Sequence, residues 1–302
     1  MQLVHGADDS DMGIFCKSNG TIKTTLLRYL KGKGIIMDIK QYYADPSEKP
    51  LDRMPADGGF AGIFRTIGCI GDSLSSGEFE SLDENGNRGY HDMFEYSWGQ
   101  YLGRLIGSKV YNFSRGGMTA TEYMKSFAEA NDYWNEDKLC QCYIIALGVN
   151  DLFGLKMELG STKDINTEDW TKNNTDTFAG CYAQIIGRLK TMQPKARFFL
   201  MTMLHEGGEE HDRIVDAHAA LLHEIAGVFD FTYVIDFAKY APVYDAEFRQ
   251  NFYLGGHLNS AGYLLTSRMV ASYMDYIIRN HPDDFTQVGF IGHPFHNRDA
   301  KW

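Results

Sequence analysis

Positive charge is scarce in this chain. Lys and Arg number 29 against 40 Asp and Glu, a formal net charge of −11. So acidic a surface repels phosphate backbones and anionic headgroups, which argues against nucleic acid or a membrane surface as main partner. Long apolar runs are missing too; none approaches the ~20 residues of a membrane span. The first twenty residues, MQLVHGADDSDMGIFCKSNG, lack the basic start and apolar centre of a secretory leader. Cysteine is sparse and odd in number, at Cys16, Cys69, Cys140, Cys142 and Cys181. That excludes a disulfide framework and leads us to expect reduced thiols and a cytoplasmic location. Cys140 and Cys142 have no second pair, so zinc is not indicated. His211, His218 and His223 match no H-E-x-x-H pattern, and His218 falls in an apolar stripe, as a core histidine would. Repeats, low-complexity tracts and charged tails are absent.

What is present is an ordinary globular composition, 44% hydrophobic and 23% charged, over 302 residues. That supports a sizeable core in one large or two small domains. Residues 1–60 read as an extension of no assignable role. They contain short β-prone runs around Gly32 and Gly34, then a Pro-, Asp- and Gly-rich loop, ADPSEKPLDRMPADGG. The main domain is expected over residues 61–282. A tail follows over 283–302, with His293, Phe295, His296 and Trp302 in a polar context and no metal expected.

From Arg65 the pattern alternates. Apolar runs at Thr66–Ile70, Lys109–Asn112, CYIIALG, ARFFLMT and TYVIDF predict five strands. Between them lie helical stripes: Phe94 to Leu105; a helix opened by the capping-box pattern Thr119–Glu122; Phe178 to Met192; and Ile214 to Ile225. A last helix starts near Ser260. Such regular alternation predicts an α/β fold with a parallel sheet covered by helices on both faces. In that architecture ligands bind beyond the carboxyl ends of the strands.

The residues at those ends make a set. Gly71-Asp72-Ser73-Leu74 follows the first strand, NFSRGGMT the second, Gly148-Val149-Asn150-Asp151 the third, and NFYLGGHLNSAGY precedes the last helix. A serine becomes a useful nucleophile when a histidine takes its proton. A tetrahedral intermediate needs donors for its oxyanion, and the Ser73 N–H, the Gly117 N–H and the Asn150 amide are suited to that. The α/β-hydrolase elbow G-x-S-x-G is absent around Ser73, which excludes the commonest competing esterase fold.

Four blocks in order, GDSL at 71–74, N-x-x-x-x-G-x-T from Asn112 to Thr119, GVND at 148–151 and the block around His257, resemble the SGNH hydrolase superfamily, the GDSL esterases and lipases. The resemblance implies a flavodoxin-like three-layer αβα sandwich around a mostly parallel five-stranded sheet. It also implies hydrolysis of carboxylic esters, with Ser73 as nucleophile, His257 as general base, and Ser73, Gly117 and Asn150 as the oxyanion hole. No cofactor is implied. A small-molecule ester is the expected partner, with a short acyl group such as acetyl on a carbohydrate as the mild preference; a carbohydrate- or acyl-binding module on the same fold and an acyltransferase are the alternatives.

One position departs from the pattern. The family places Asp three residues before the histidine, and here that residue is Leu254. The expectation is that the Leu254 backbone carbonyl orients His257 as part of a modest dyad. Asp245, Asp236 or an impaired site are the alternatives. Asp72, His205 and Glu206 are the candidates for lining the substrate pocket, and Asp72 is expected to shape its loop rather than to do proton chemistry.

Overall fold

A computed structural model describes residues 39–293 of the chain. Cys16, the β-prone runs around Gly32 and Gly34, and the tail from 294 onward lie outside the described residues. Two compact units are present, 1–42 and 43–302. Of the first, the described part is a single 3-10 turn, Ile39–Tyr42.

The second unit is built on a parallel sheet. Its strands are β1 (Thr66–Gly71), β4 (Lys109–Asn112), β5 (Cys142–Ala146), β6 (Arg197–Met201) and β7 (Thr232–Ile235), in the order β4-β1-β5-β6-β7. Every pairing is parallel. All five predicted strands are therefore present. Side chains alternate between two cores, as the period of two in a strand requires. On β5, Tyr143 and Ile145 enter one core, and Cys142 and Ile144 enter the other.

The helices form the outer layers. In chain order the early ones are α1 (Ser73–Ser76), α2 (Trp98–Ile106), α3 (Ala120–Glu122) and α4 (Ala128–Ala130), with a π-helical turn at Tyr123–Phe127 between the last two. Next come α5 (Phe178–Met192), α6 (Glu209–Val228), α7 (Phe237–Tyr240), α8 (Ala246–Phe252), α9 (Ser260–Asn280) and α10 (Pro282–Phe285). Residues of α5 and α6 fill the core on one face, and those of α2 and α9 fill the other. This is the three-layer α/β sandwich. Caps follow the sequence signals: Thr119 accepts from the Glu122 N–H at 3.1 Å, and Asn259 accepts from the Gly262 N–H at 2.9 Å.

Packing runs across both expected boundaries, at 60/61 and 282/283. Arg279 on α9 meets Glu48 and Asp275, and the Ser272 hydroxyl donates to the Pro50 carbonyl at 2.9 Å. Phe285, Val288 and Ile291 are buried in the second core, and the Gln141 amide donates to the Val288 and Ile291 carbonyls.

Two small antiparallel pieces complete the fold. The hairpin β2 (Glu78–Leu82) and β3 (Arg88–Asp92) turns through Asp83–Asn87, where Asp83 Oδ1 accepts from the Asn85 and Asn87 N–H groups. The two-residue strands β8 (Tyr253–Leu254) and β9 (His257–Leu258) pair around Gly255-Gly256.

His218 is the core histidine expected from its stripe, and it is fully buried. Met203 N–H donates to its Nδ1 at 3.4 Å, so Nε2 carries the proton and donates to the Leu147 carbonyl at 3.2 Å. Gly148 leaves space for it: a Cβ there would lie 2.7 Å from His218 Nε2. Burial pushes His218 down to about 4 from 6.5, only partly offset by the Leu147 carbonyl. The unfolded chain binds this proton first as pH falls. The stabilisation is thus complete above pH 6.5 and lost on descent towards pH 4, up to about 3 kcal/mol. Urea denaturation at pH 7 and pH 4.5 checks this. The wild type should lose about 2 kcal/mol more than His218→Gln between the two; equal losses would contradict it.

Candidate active site

The order of strands reverses at β1, which has β4 on one side and β5 on the other. The segments leaving β1 and β5 therefore diverge, and the crevice between them is where ligands settle in such sheets. A cavity of about 280 Å³ lies there, lined among others by Asp72, Ser73, Asn150, Glu206, Arg249 and His257.

Ser73 is the first residue of α1, directly beyond β1. Asp72 caps that helix: its Oδ1 accepts from the Leu74 N–H at 3.1 Å, and its carbonyl accepts from the Ser75 and Ser76 N–H groups. These bonds fix the turn and none of them uses the Ser73 N–H. Burial pushes Asp72 up to about 6, against the pull of the Leu74 N–H and of His257. Asp72 thus caps the turn and also lines the cavity.

The loops after β4 and β5 are tied together. The Asn150 amide donates to the Met118 carbonyl at 3.1 Å, which leaves its second N–H for a ligand. The neighbouring Asp151, fully buried, accepts from the Ala120 N–H at 2.9 Å through Oδ1. Burial lifts Asp151 to about 7, partly offset by that N–H. Gly117 has φ +73°, and a Cβ on it would meet nothing within 4 Å. Glycine is needed there for the left-handed backbone and not for room.

His257 lies on β9 with its ring partly buried. Its orientation differs from the expectation. Nδ1 does not rely on the Leu254 carbonyl; it meets Glu80 Oε1 at 2.9 Å. Leu254 is instead the β-bridge partner of His257, with its side chain half exposed. Asp245 caps α8, and Asp236 caps α7 and pairs with His223, so both are engaged elsewhere. The physical reason is the Gly255-Gly256 turn. A Cβ on Gly255 would fall 2.2 Å from Glu80 Oε2, and one on Gly256 would fall 2.6 Å from Glu80 Oε1. The two glycines open a slot, the Glu80 carboxylate fills it, and the Gly256 N–H donates to Oε1 at 2.8 Å.

Glu80 is itself well held. Arg88, across the hairpin, pairs with Oε2 at 2.7 Å. Burial alone would raise the Glu80 carboxyl. The His257 hydrogen bond, the Gly256 N–H and the Arg88 charge outweigh it and hold Glu80 below the ordinary carboxylate range. Tyr90 on β3 approaches the His257 ring edge-on at 6.3 Å. Sequence reading missed this hairpin. Its signal was the alternating EFESL and RGYHD flanking a turn that contains Asn85-Gly86.

Of the remaining expected residues, Glu206 lines the cavity and pairs with Arg249 at 2.5 Å. His205 is turned to Asp216, 2.9 Å away, and is not among the cavity's lining residues. His293, from the tail, meets Arg65 at 2.8 Å. Among the described residues, no helix is long and apolar enough to cross a membrane.

The sheet, its switch-point crevice and the residues gathered there define an SGNH-type α/β protein. The model of the GDSL-like lipase/acylhydrolase family matches residues 69–265, and the chain belongs to that family. No curated protein matches the sequence. Among solved structures, a family two carbohydrate esterase from Clostridium thermocellum in complex with cellohexaose is similar at 17% identity and TM-score 0.50. The match covers 73% of this chain and 65% of that one. A protein from Lactobacillus plantarum is similar at 16% identity and TM-score 0.51, covering 72% of this chain and 98% of that one. At these identities the likeness is one of fold. The chain spans just under two thirds of the Clostridium esterase.

The glycine slot yields a direct test. Gly256→Ala should displace Glu80 and lower the turnover of a Ser73-dependent reaction by about tenfold or more, since a misheld histidine is costly. Leu254→Asp should bring no gain, because Nδ1 is already served. A faster Leu254→Asp, or an unaffected Gly256→Ala, in steady-state kinetics on a 4-nitrophenyl ester would contradict the Glu80 assignment.

Proposed function

We propose that the protein is a serine ester hydrolase that cleaves short-chain carboxylic esters through an acyl-enzyme on Ser73. The observation that carries this is the Glu80–His257 hydrogen bond. It supplies a full negative charge to a histidine whose ring lines the same cavity as Ser73 and Asn150. A serine hydroxyl needs a base with its proton on the far nitrogen, and a carboxylate on Nδ1 provides that tautomer.

The steps follow. Ser73 Oγ attacks the ester carbonyl carbon while His257 Nε2 takes its proton. The carbonyl oxygen becomes an oxyanion, stabilised by the Ser73 and Gly117 N–H groups and the free N–H of the Asn150 amide. Collapse of the intermediate breaks the bond to the alcohol, which leaves with the proton from Nε2. Water then attacks the acyl-enzyme, His257 again serving as base, and the acid is released. Glu80 stays ionised throughout and balances the imidazolium.

The cavity of about 280 Å³ favours a short acyl group. An acetylated carbohydrate is the alcohol class we favour, in keeping with the carbohydrate esterases that share the fold. A non-catalytic binding module drew its support from Leu254 standing where the family has Asp, and Glu80 removes that support. An acyltransferase differs only in the acceptor of the acyl group.

The test is hydrolysis of 4-nitrophenyl acetate by wild type, Ser73→Ala and Glu80→Gln. Ser73→Ala should lose several orders of magnitude in kcat, and Glu80→Gln roughly 10²–10⁴-fold, as for loss of a triad carboxylate. Wild-type turnover that survives intact in Ser73→Ala would refute the proposal.

A further inference from the structure

Glu78 has no part in the scheme above, yet its carboxylate lies at the reacting edge of the histidine. Glu78 Oε1 is 3.3 Å from His257 Nε2, the atom that has to accept the serine proton. The side chains are only 16% and 17% exposed, respectively. Two features build this placement. Glu78 and Glu80 are two residues apart on β2, so both project from one face of the strand. On the opposite side Gly116 makes room, since a Cβ there would fall 2.0 Å from Glu78 Oε2. The strand is pinned at the same residue by the Tyr263 hydroxyl, which donates to the Glu78 carbonyl at 2.7 Å. A carboxylate that needs a glycine in order to fit beside the Gly117 turn is not a solvated surface acid.

We propose that Glu78 is a second charge partner of His257, acting at Nε2 as Glu80 acts at Nδ1, and that it sets the pH range in which the site works; this rests on the hydrolase reading above. A neutral ring with its proton on Nδ1 turns the Nε2 lone pair towards a carboxylate oxygen in contact. Two acceptors then face each other, and a proton at Nε2 relieves them. A proton arriving at Nε2 therefore meets a carboxylate there as well as the one at Nδ1. During attack, the Ser73 O–H bond breaks and the Nε2–H bond forms, and the imidazolium is countered by two carboxylates. The leaving alcohol takes the proton away and restores the pair.

The charges around Glu78 agree with such a role. Burial is the largest influence and raises its carboxyl; His257 pulls it down, and Asp92 from β3 and Glu80 from β2 push it up again. Asp72, beyond β1, interacts with both Glu78 and His257. Arg88, the cation of the hairpin, is paired with Glu80. His257 is thus the group that makes an ionised Glu78 tolerable, and the reverse holds as well.

The test is the pH dependence of kcat/KM on 4-nitrophenyl acetate for wild type, Glu78→Gln, Glu78→Asp and Ser73→Ala. Glu78→Gln should move the acid limb to lower pH by about one unit or more, as expected on removing a charge at this range, and should lower the plateau. Glu78→Asp keeps the charge but draws it back, and its limb should fall between the other two; it carries the test if Glu78→Gln does not fold. An unmoved acid limb with Ser73→Ala inactive overturns the Glu78 proposal and leaves the hydrolase reading standing. Full activity in Ser73→Ala overturns the reading itself, and Glu78's role with it.

Discussion

The hydrogen bond between Glu80 and His257 Nδ1 is the contact on which the site depends. It joins residues 177 apart in sequence and two separate pieces of local structure. The β2–β3 hairpin presents the carboxylate, the β8–β9 turn presents the ring, and Gly255-Gly256 removes the side-chain atoms that would stand between them. None of these pieces belongs to the five-stranded sheet. The sheet fixes where Ser73 and Asn150 arrive, and the two antiparallel additions bring His257, held by Glu80, to the same cavity.

The arrangement is costly to assemble and therefore specific. A buried carboxylate is tolerated only when hydrogen-bonded and paired. Glu80 meets that demand with an N–H, an imidazole and a guanidinium at once. Each partner is also held by something else: the hairpin turn by Asp83, and the histidine strand by its pairing with Leu254. On the other side of the crevice, Asn150–Met118 and Asp151–Ala120 lock the loops after β4 and β5 to one another. The site is a junction of short loops, made rigid by polar contacts between them.

Much of this was legible in the chain. The strands were readable because a parallel sheet covered on both faces demands near-continuous apolar runs such as CYIIA. That Ser73, Asn150 and His257 meet at one cavity was readable because each sits beside a strand end or before a helix. The histidine's carboxylate was not. Sequence proximity pointed to position 254, whereas the acid comes from a hairpin folded back over the crevice, and contact between distant segments leaves no periodicity to read. The glycines that admit it were visible as LGGHL but carried no indication of what filled their space. In the segment expected as a tail, Phe285, Val288 and Ile291 are too sparse to form a stripe and are buried all the same.

The most direct test of the account is the tautomer of His257, read from long-range ¹H–¹⁵N correlation of histidine-labelled protein on the alkaline side of its titration, with the signal assigned by its absence in His257→Gln. The account predicts that the proton resides on Nδ1, held by Glu80, and that this preference disappears in Glu80→Ala. A ring protonated on Nε2 in the wild type, or a tautomer indifferent to Glu80, would contradict it.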